Sequence, residues 1–209
     1  MIAYPSINYY GDYWGLPIYA FDKLDGSNLR FEFNRKRGFY KFGTRNTLID
    51  ENHEVFGEGV RVFLEKYSDG LEQVFKSKDY RNIQSFVCFG EFYGPNSQFG
   101  QHIPEDIKDV VLFDVMPHKS DFIKPKEFIN NFGHLGIPRI VYQGNLNMEL
   151  VNDIKTNKYN LTEGIIGKGV VGSKKSEYVY QCKIKTDDWF DRLRTLGGDK
   201  AVEDELKAH

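Results

Sequence analysis

Between residues 29 and 33 apolar and charged side chains alternate, Leu29, Phe31 and Phe33 against Arg30 and Glu32, which is the period of a half-buried β-strand. An apolar run at 16–21 (LPIYAF) precedes it, and the segment 34–38 (NRKRG) turns it into 39–43 (FYKFG), so a β-hairpin is predicted. Arg35, Lys36 and Arg37 read as the solvated basic tip of that hairpin. From Asp50, a good helix N-cap, the apolar residues Val55, Phe56, Val60, Phe63, Tyr67, Leu71 and Val74 recur at helical spacing up to Phe75. Gly57, Gly59 and Gly70 interrupt that stretch and predict a break, giving one or two helices. Strand patterns return at 85–94 (SFVCFGEFYG), 110–116 (VVLFDVM), 138–144 (PRIVYQG), 164–171 (GIIGKGVV) and 178–185 (YVYQCKIK), with a short helix over 126–133. After Thr186, a residue suited to capping, two aspartates open a helix over 187–196 that Gly197 and Gly198 stop.

Strands and helices do not alternate strictly, and the strands lack the regular helical crossovers a parallel sheet requires. The pattern therefore predicts an α+β fold with largely antiparallel sheets. A length of 209 residues allows one sizeable core. No repeat or Pro/Gly-rich linker divides it, so residues 1–209 are expected to form a single domain, with 186–209 a helical tail and no separate C-terminal domain.

Composition narrows the classes. With 40% hydrophobic, 15% aromatic and 28% charged residues the chain is an ordinary globular sequence, not a disordered or collagen-like one. Its net charge of −2 means that a polyanionic partner must be held by a local patch of Lys and Arg. Cys88 and Cys182 lie inside strand-like runs without zinc-type spacing and are expected to be buried, reduced thiols. Neither a secretory leader nor an apolar run long enough to span a bilayer is present, so a soluble, intracellular (cytoplasmic) protein without membrane contact is expected.

The most specific segment is Lys23-Leu24-Asp25-Gly26-Ser27-Asn28, between two strand-like runs. An ordinary lysine, with a pKa of about 10.4, is a nucleophile in only about one molecule in 10³ at neutral pH, so a reactive Lys23 needs surroundings that disfavour its ammonium form. Gly26 lets the backbone turn tightly beside a nucleotide, while Ser27 and Asn28 offer small polar groups to ribose or phosphate. Asp-Gly-Ser-Asn is also good chemistry for a plain surface turn.

This hexapeptide resembles the nucleotidyltransferase motif of ATP-dependent RNA ligases, in particular the RNA ligase 2 and RNA-editing ligase group of the covalent nucleotidyltransferase superfamily. DNA ligases and mRNA capping enzymes carry a similar pattern, usually with arginine where Asn28 stands. The resemblance implies that Lys23 attacks the α-phosphate of ATP, releases pyrophosphate and carries AMP, with Asp25, Gly26 and Asn28 beside the nucleotide. Further segments follow in the family's order. Arg45, in Phe42-Gly43-Thr44-Arg45, is implied to contact the nucleotide or RNA end, and Glu91, in FGEFYG, the ribose. Phe113, in VLFDV, is implied to stack on adenine; Glu163, in EGII, to associate with Mg²⁺ or Mn²⁺; and Lys183 and Lys185 to touch the AMP phosphate. Residues i and i+2 of a strand share a face, so both of those ammonium groups can reach one phosphate.

The fold so implied is an ATP-grasp-like nucleotidyltransferase domain whose antiparallel sheets flank a nucleotide cleft, and the activity is joining of RNA 5′-phosphate and 3′-hydroxyl ends through an adenylated RNA. Such ligases usually carry a further domain after the last lysine motif, where this sequence has about two dozen residues, too few for an independent core. The expectation is a minimal stand-alone ligase, one assisted by an accessory protein in place of that domain, or part of a longer chain. The alternatives are a DNA ligase, a GTP-using capping enzyme, or a non-catalytic module that binds nucleic-acid ends.

Overall fold

The alternating run at 29–33 becomes the middle strand of an antiparallel sheet, one of two in the computed structural model, which describes residues 2–94, 107–173 and 176–207. Among the described residues the elements run β1 (Pro17–Lys23), β2 (Ser27–Asn34), β3 (Gly38–Thr44), β4 (Leu48–Ile49), α1 (Gly57–Lys76), β5 (Ser85–Tyr93), β6 (Asp109–Pro117), α2 (Pro125–Phe132), β7 (Ile140–Asn145), α3 (Met148–Lys155), β8 (Gly164–Ser173), β9 (Ser176–Lys185) and α4 (Asp187–Lys207). They divide into two units, one of residues 2–4, 26–94 and 107–137, the other of 5–25, 138–173 and 176–207. The predicted α+β architecture with antiparallel sheets is what the structure contains.

In the first unit five strands run in the order β4-β3-β2-β5-β6. Helix α1 turns Val60, Phe63, Tyr67, Leu71 and Phe75 toward this sheet, the i, i+3, i+4 stripe of a helix with one apolar face. Phe63 stacks on Phe31 with ring centroids 3.5 Å apart, and Phe75 on Phe86 at 3.9 Å. Each such side chain contributes about 1.5–3 kcal/mol through burial. Two expectations change here. The helix is continuous from Gly57 to Lys76 and does not start at Asp50, whose carboxylate instead accepts the Asn52 amide in a turn. Nor do its glycines break it: a Cβ on Gly59 would stand 2.7 Å from a Leu29 methyl, and one on Gly70 2.4 Å from Leu135, so the glycines let neighbours approach. The hairpin tip also differs from a plain solvated turn. Lys36 and Arg37 are exposed, whereas Arg35 donates to the carbonyls of Ile83, Phe75 and Tyr80, tying the tip to the C-terminal end of α1.

The second unit has four antiparallel strands in the order β7-β1-β8-β9. One face, with Ile18, Ala20, Ile165, Tyr180, Cys182 and Ile184, packs against Leu150, Val151 and Ile154 of α3. Helix α3 escaped the pattern reading, although Asn147 caps it by accepting the Leu150 amide at 2.8 Å. Both cysteines are buried free thiols, and burial pushes Cys182 up to about 12. Helix α4 opens as expected, with the Thr186 hydroxyl accepting the Trp189 amide at 3.1 Å. It turns at Gly198 (φ 72°, ψ −178°) and resumes as helix to Lys207.

Candidate functional site

In the second unit, strand register builds the site. Gly164, the first residue of β8, pairs with Lys23 of β1 on one side and with Lys185 of β9 on the other. Its φ of +156° disfavours a side chain, and a Cβ there would stand 2.1 Å from the Ile184 carbonyl oxygen. The strand position between the two lysines thus carries no side chain, and Glu163, one residue earlier, serves both. Its Oε2 accepts from Lys23, and its Oε1 lies 2.7 Å from Lys185 Nζ. Burial by itself would raise the Glu163 carboxyl, but Lys23 and then Lys185 hold it below the ordinary range. One buried carboxylate thus partners both lysines.

Lys183 shares the strand face of Lys185, and both side chains are about 5% exposed. Buried ammonium groups require partners. Each rides on an aromatic ring, Lys183 over Tyr9 at 4.6 Å and Lys185 over Trp189 at 3.4 Å. Both also donate to one carboxylate oxygen, Oε1 of Glu205 in α4, at 2.8 and 3.0 Å. Burial holds the Lys183 ammonium below its ordinary range, against the pull of Glu205, while the Glu205 carboxyl is depressed to about 2 because the two lysines outweigh its desolvation. Asp25 completes the group. It is buried, its Oδ2 makes no hydrogen bond, and burial followed by the nearby Glu163 pushes its carboxyl up to about 6 against Lys23, Trp189 and Lys185.

The remaining predicted residues lie in the first unit. Asn28 and Glu91 are register partners on β2 and β5, on the sheet face opposite α1, and the Asn28 Oδ1 is buried without a partner. Phe113 reaches the same face through a register shift between β5 and β6, packing beside Phe89 and edge-on to Tyr4, whose hydroxyl donates to Asp114. Gly26 lets β2 begin close to β5, since a Cβ would stand 2.4 Å from the Phe92 carbonyl oxygen. Arg45 is exposed in the turn after β3.

Pattern reading missed three side chains. Lys168, buried over Phe21 at 5.1 Å, shares the face of the lysine row, and the signal was a lysine inside the apolar run 164–171. Arg30, buried with an unbonded Nε beside Asn28 on β2, looked like the polar half of an alternation. Glu205 carried no signal, since the tail showed only mixed charge.

For a divalent metal the fit is poor. Among the described residues no group of three or more His, Cys, Asp or Glu side chains is arranged to hold one, and both oxygens of Glu163 are engaged by lysines.

Comparison with known proteins bears on this geometry. Residues 16–185 match the family model described as RNA ligase. No curated protein sequence matches the chain. Among solved structures, a Naegleria gruberi RNA ligase with PPi is similar at a TM-score of 0.65 and 15% identity, over 93% of this chain and 58% of that one. A mutant of that ligase with ATP and Mn gives 0.65 and 14%, over 91% and 58%. An apo mutant gives 0.66 and 13%, over 93% and 58%. The likeness is one of fold, and the present chain spans 58% of the length of those chains.

Proposed function

The chain belongs to the RNA ligase family, and from that membership we propose that it is the nucleotidyltransferase part of an ATP-dependent RNA ligase, joining 5′-phosphate and 3′-hydroxyl RNA ends through AMP carried on Lys23. The observation that supports this reading most is the row Lys23, Gly164, Lys185 with Glu163 bridging its ends, which sets a primary amine beside two further buried ammonium groups.

In the proposed first step Lys23 Nζ forms a bond to the α-phosphorus of ATP while the bond from that phosphorus to the bridging oxygen breaks and pyrophosphate leaves. Lys23 gives up two protons overall, one to become an amine and one as the N–P bond forms. Asp25, with an unbonded oxygen and a carboxyl near 6, is the proposed acceptor of the first, and the second passes to solvent. Lys183 and Lys185 neutralise charge on the phosphoryl oxygens, which is the larger part of what such chemistry asks of a protein. An RNA 5′-phosphate oxygen then attacks the same phosphorus and releases Lys23, and a 3′-hydroxyl finally attacks the RNA 5′-phosphorus and expels AMP. In the first unit Glu91 and Asn28 are assigned to the ribose, Phe113 to adenine, and Arg45 to the nucleotide or RNA end. Mg²⁺ or Mn²⁺ enters with ATP, whose oxygens and waters are the ligands hard cations prefer; no step is assigned to a metal held by the protein. Whether an accessory protein assists sealing belongs to the same proposal.

Intact mass after incubation with Mg²⁺ and either ATP or GTP tests it. One AMP added to the wild type and none to Lys23→Ala is the expected result. A GMP adduct would move the reading to capping chemistry, and an adduct that survives Lys23→Ala would place the nucleophile elsewhere.

A further inference from the structure

Resting on that reading, we infer that the C-terminal half of α4 is an intramolecular strap, in which Glu205 holds the position that a nucleotide phosphate takes between Lys183 and Lys185, so that ATP binding requires the strap to lift. Three observations within one unit carry this. The first is stereochemical. A single oxygen, Glu205 Oε1, lies 2.8 Å from Lys183 Nζ and 3.0 Å from Lys185 Nζ, which is how a phosphate oxygen would be held by two ammonium groups on one strand face. Both lysines are already capped by aromatic rings, Tyr9 and Trp189, which restrict other approaches to them.

The second is charge balance. Lys23, Lys183 and Lys185 contribute three positive charges, and Glu163, Asp25 and Glu205 contribute three carboxylates. With Glu205 in place these six charges balance, the buried Lys168 farther along the same strand face adding one positive charge, and the attraction for an incoming triphosphate is weaker than it is without the carboxylate. Once Glu205 leaves, the cluster is cationic, and each phosphoryl oxygen gains what the carboxylate gave up.

The third is mechanical. Gly198 has φ 72°, a value few other residues adopt, and open space surrounds it. Beyond this turn the helix ends at Lys207, shorter than the roughly 12 residues below which an isolated helix is marginal. Its buried apolar anchor is Val202, set against Trp189 and Leu193, while Leu206 is half exposed. Glu205 and Val202, with the partly buried Ala201 and an exposed Arg194–Asp199 ion pair, hold the segment down, and the first of them is in competition with the substrate.

The test uses the full chain, wild type and Glu205→Gln, with two readouts. Adenylation is followed by intact mass across ATP concentrations, and amide hydrogen exchange of residues 199–207 is followed in the wild type with and without the non-hydrolysable α,β-methylene-ATP and Mg²⁺. A lifting strap lowers the ATP concentration for half-maximal adenylation in Glu205→Gln by about tenfold, the factor corresponding to one charge-assisted contact, without slowing the reaction at saturation. It also speeds exchange of 199–207 when nucleotide is added, a readout independent of how the variant folds. A half-maximal ATP concentration that stays the same or rises, or protection of 199–207 by nucleotide, overturns the strap while leaving Lys23 chemistry standing. A wild type that takes up no AMP overturns the ligase reading itself, and the strap with it.

Discussion

Asp25 is the side chain whose position costs the folded protein most visibly. It is buried with one oxygen unbonded, and its carboxyl is pushed from 3.8 to about 6 by burial and by Glu163. The folded state therefore binds that proton more tightly than the unfolded chain does, and stability falls as pH rises through about 6. Asp25→Asn removes the buried charge. It is expected to raise the thermal midpoint at pH 7.5 by a few degrees, to lose that advantage by pH 4, and to slow adenylation at both; a midpoint shift independent of pH would contradict the assignment. At this scale much of the site was legible. Lys23, Asp25, Glu163, Lys183 and Lys185 could be named because their segments resemble RNA ligase motifs, with Lys183 and Lys185 also a same-face strand pair, and the structure gathers those five in one cluster. Glu205 was not legible, because its meaning depends on a helix folding back across a glycine, and no local pattern encodes that.

Elements were read well where period and burial agree. The hairpin of β2 and β3, the strands of both sheets and the apolar stripe of α1 all follow from alternation or from i, i+3, i+4 spacing. Three boundaries went astray for physical reasons. Glycines in α1 weaken a helix in isolation, but in place they admit Leu29 and Leu135, and tertiary contact outweighs propensity. Helix α3 is short, eight residues with Leu150, Val151 and Ile154 as its buried positions, too few turns to show a helical period, so its Asn147 cap was overlooked. Strand β4 is a two-residue pairing too brief to show a period. Arg35 supplies the test at this scale. Its guanidinium satisfies carbonyls where α1 ends and just beyond, so Arg35→Ala is expected to cost about 1–3 kcal/mol in urea unfolding, whereas Lys36→Ala, at an exposed neighbour, should stay within about 0.5 kcal/mol. Equal effects would mean that the tip is merely solvated, as its charge pattern suggested.

For the molecule as a whole, the order of motifs carried more information than any one of them. A model of the RNA ligase family spans residues 16–185, from just before Lys23 to Lys185. The chain crosses from one unit to the other between Asp25 and Gly26, inside the lysine motif, a division invisible to composition because no linker marks it. Acid stability is the global property the site dictates. Glu205 falls from 4.5 to about 2, and Glu163 is also held below its ordinary range, so both contribute stability that is fully present above pH 4.5 and is lost as pH falls toward 2. The wild type should therefore show a falling unfolding midpoint over that interval, and Glu205→Gln a shallower fall; parallel curves would assign the acid loss to other carboxylates.

The glycine at position 164 makes the sheet a gauge. Lys23 and Lys185 sit two strand spacings apart, about 9.6 Å between backbones, and that interval is fixed by the main-chain ladder through Gly164, not by the reach of either side chain. Side-chain length is then the one adjustable dimension. In the proposed reaction an amine one methylene shorter than lysine at position 23 would keep its charge yet fall short of a phosphorus held by Lys185, so that its tolerance can be measured in single carbon atoms.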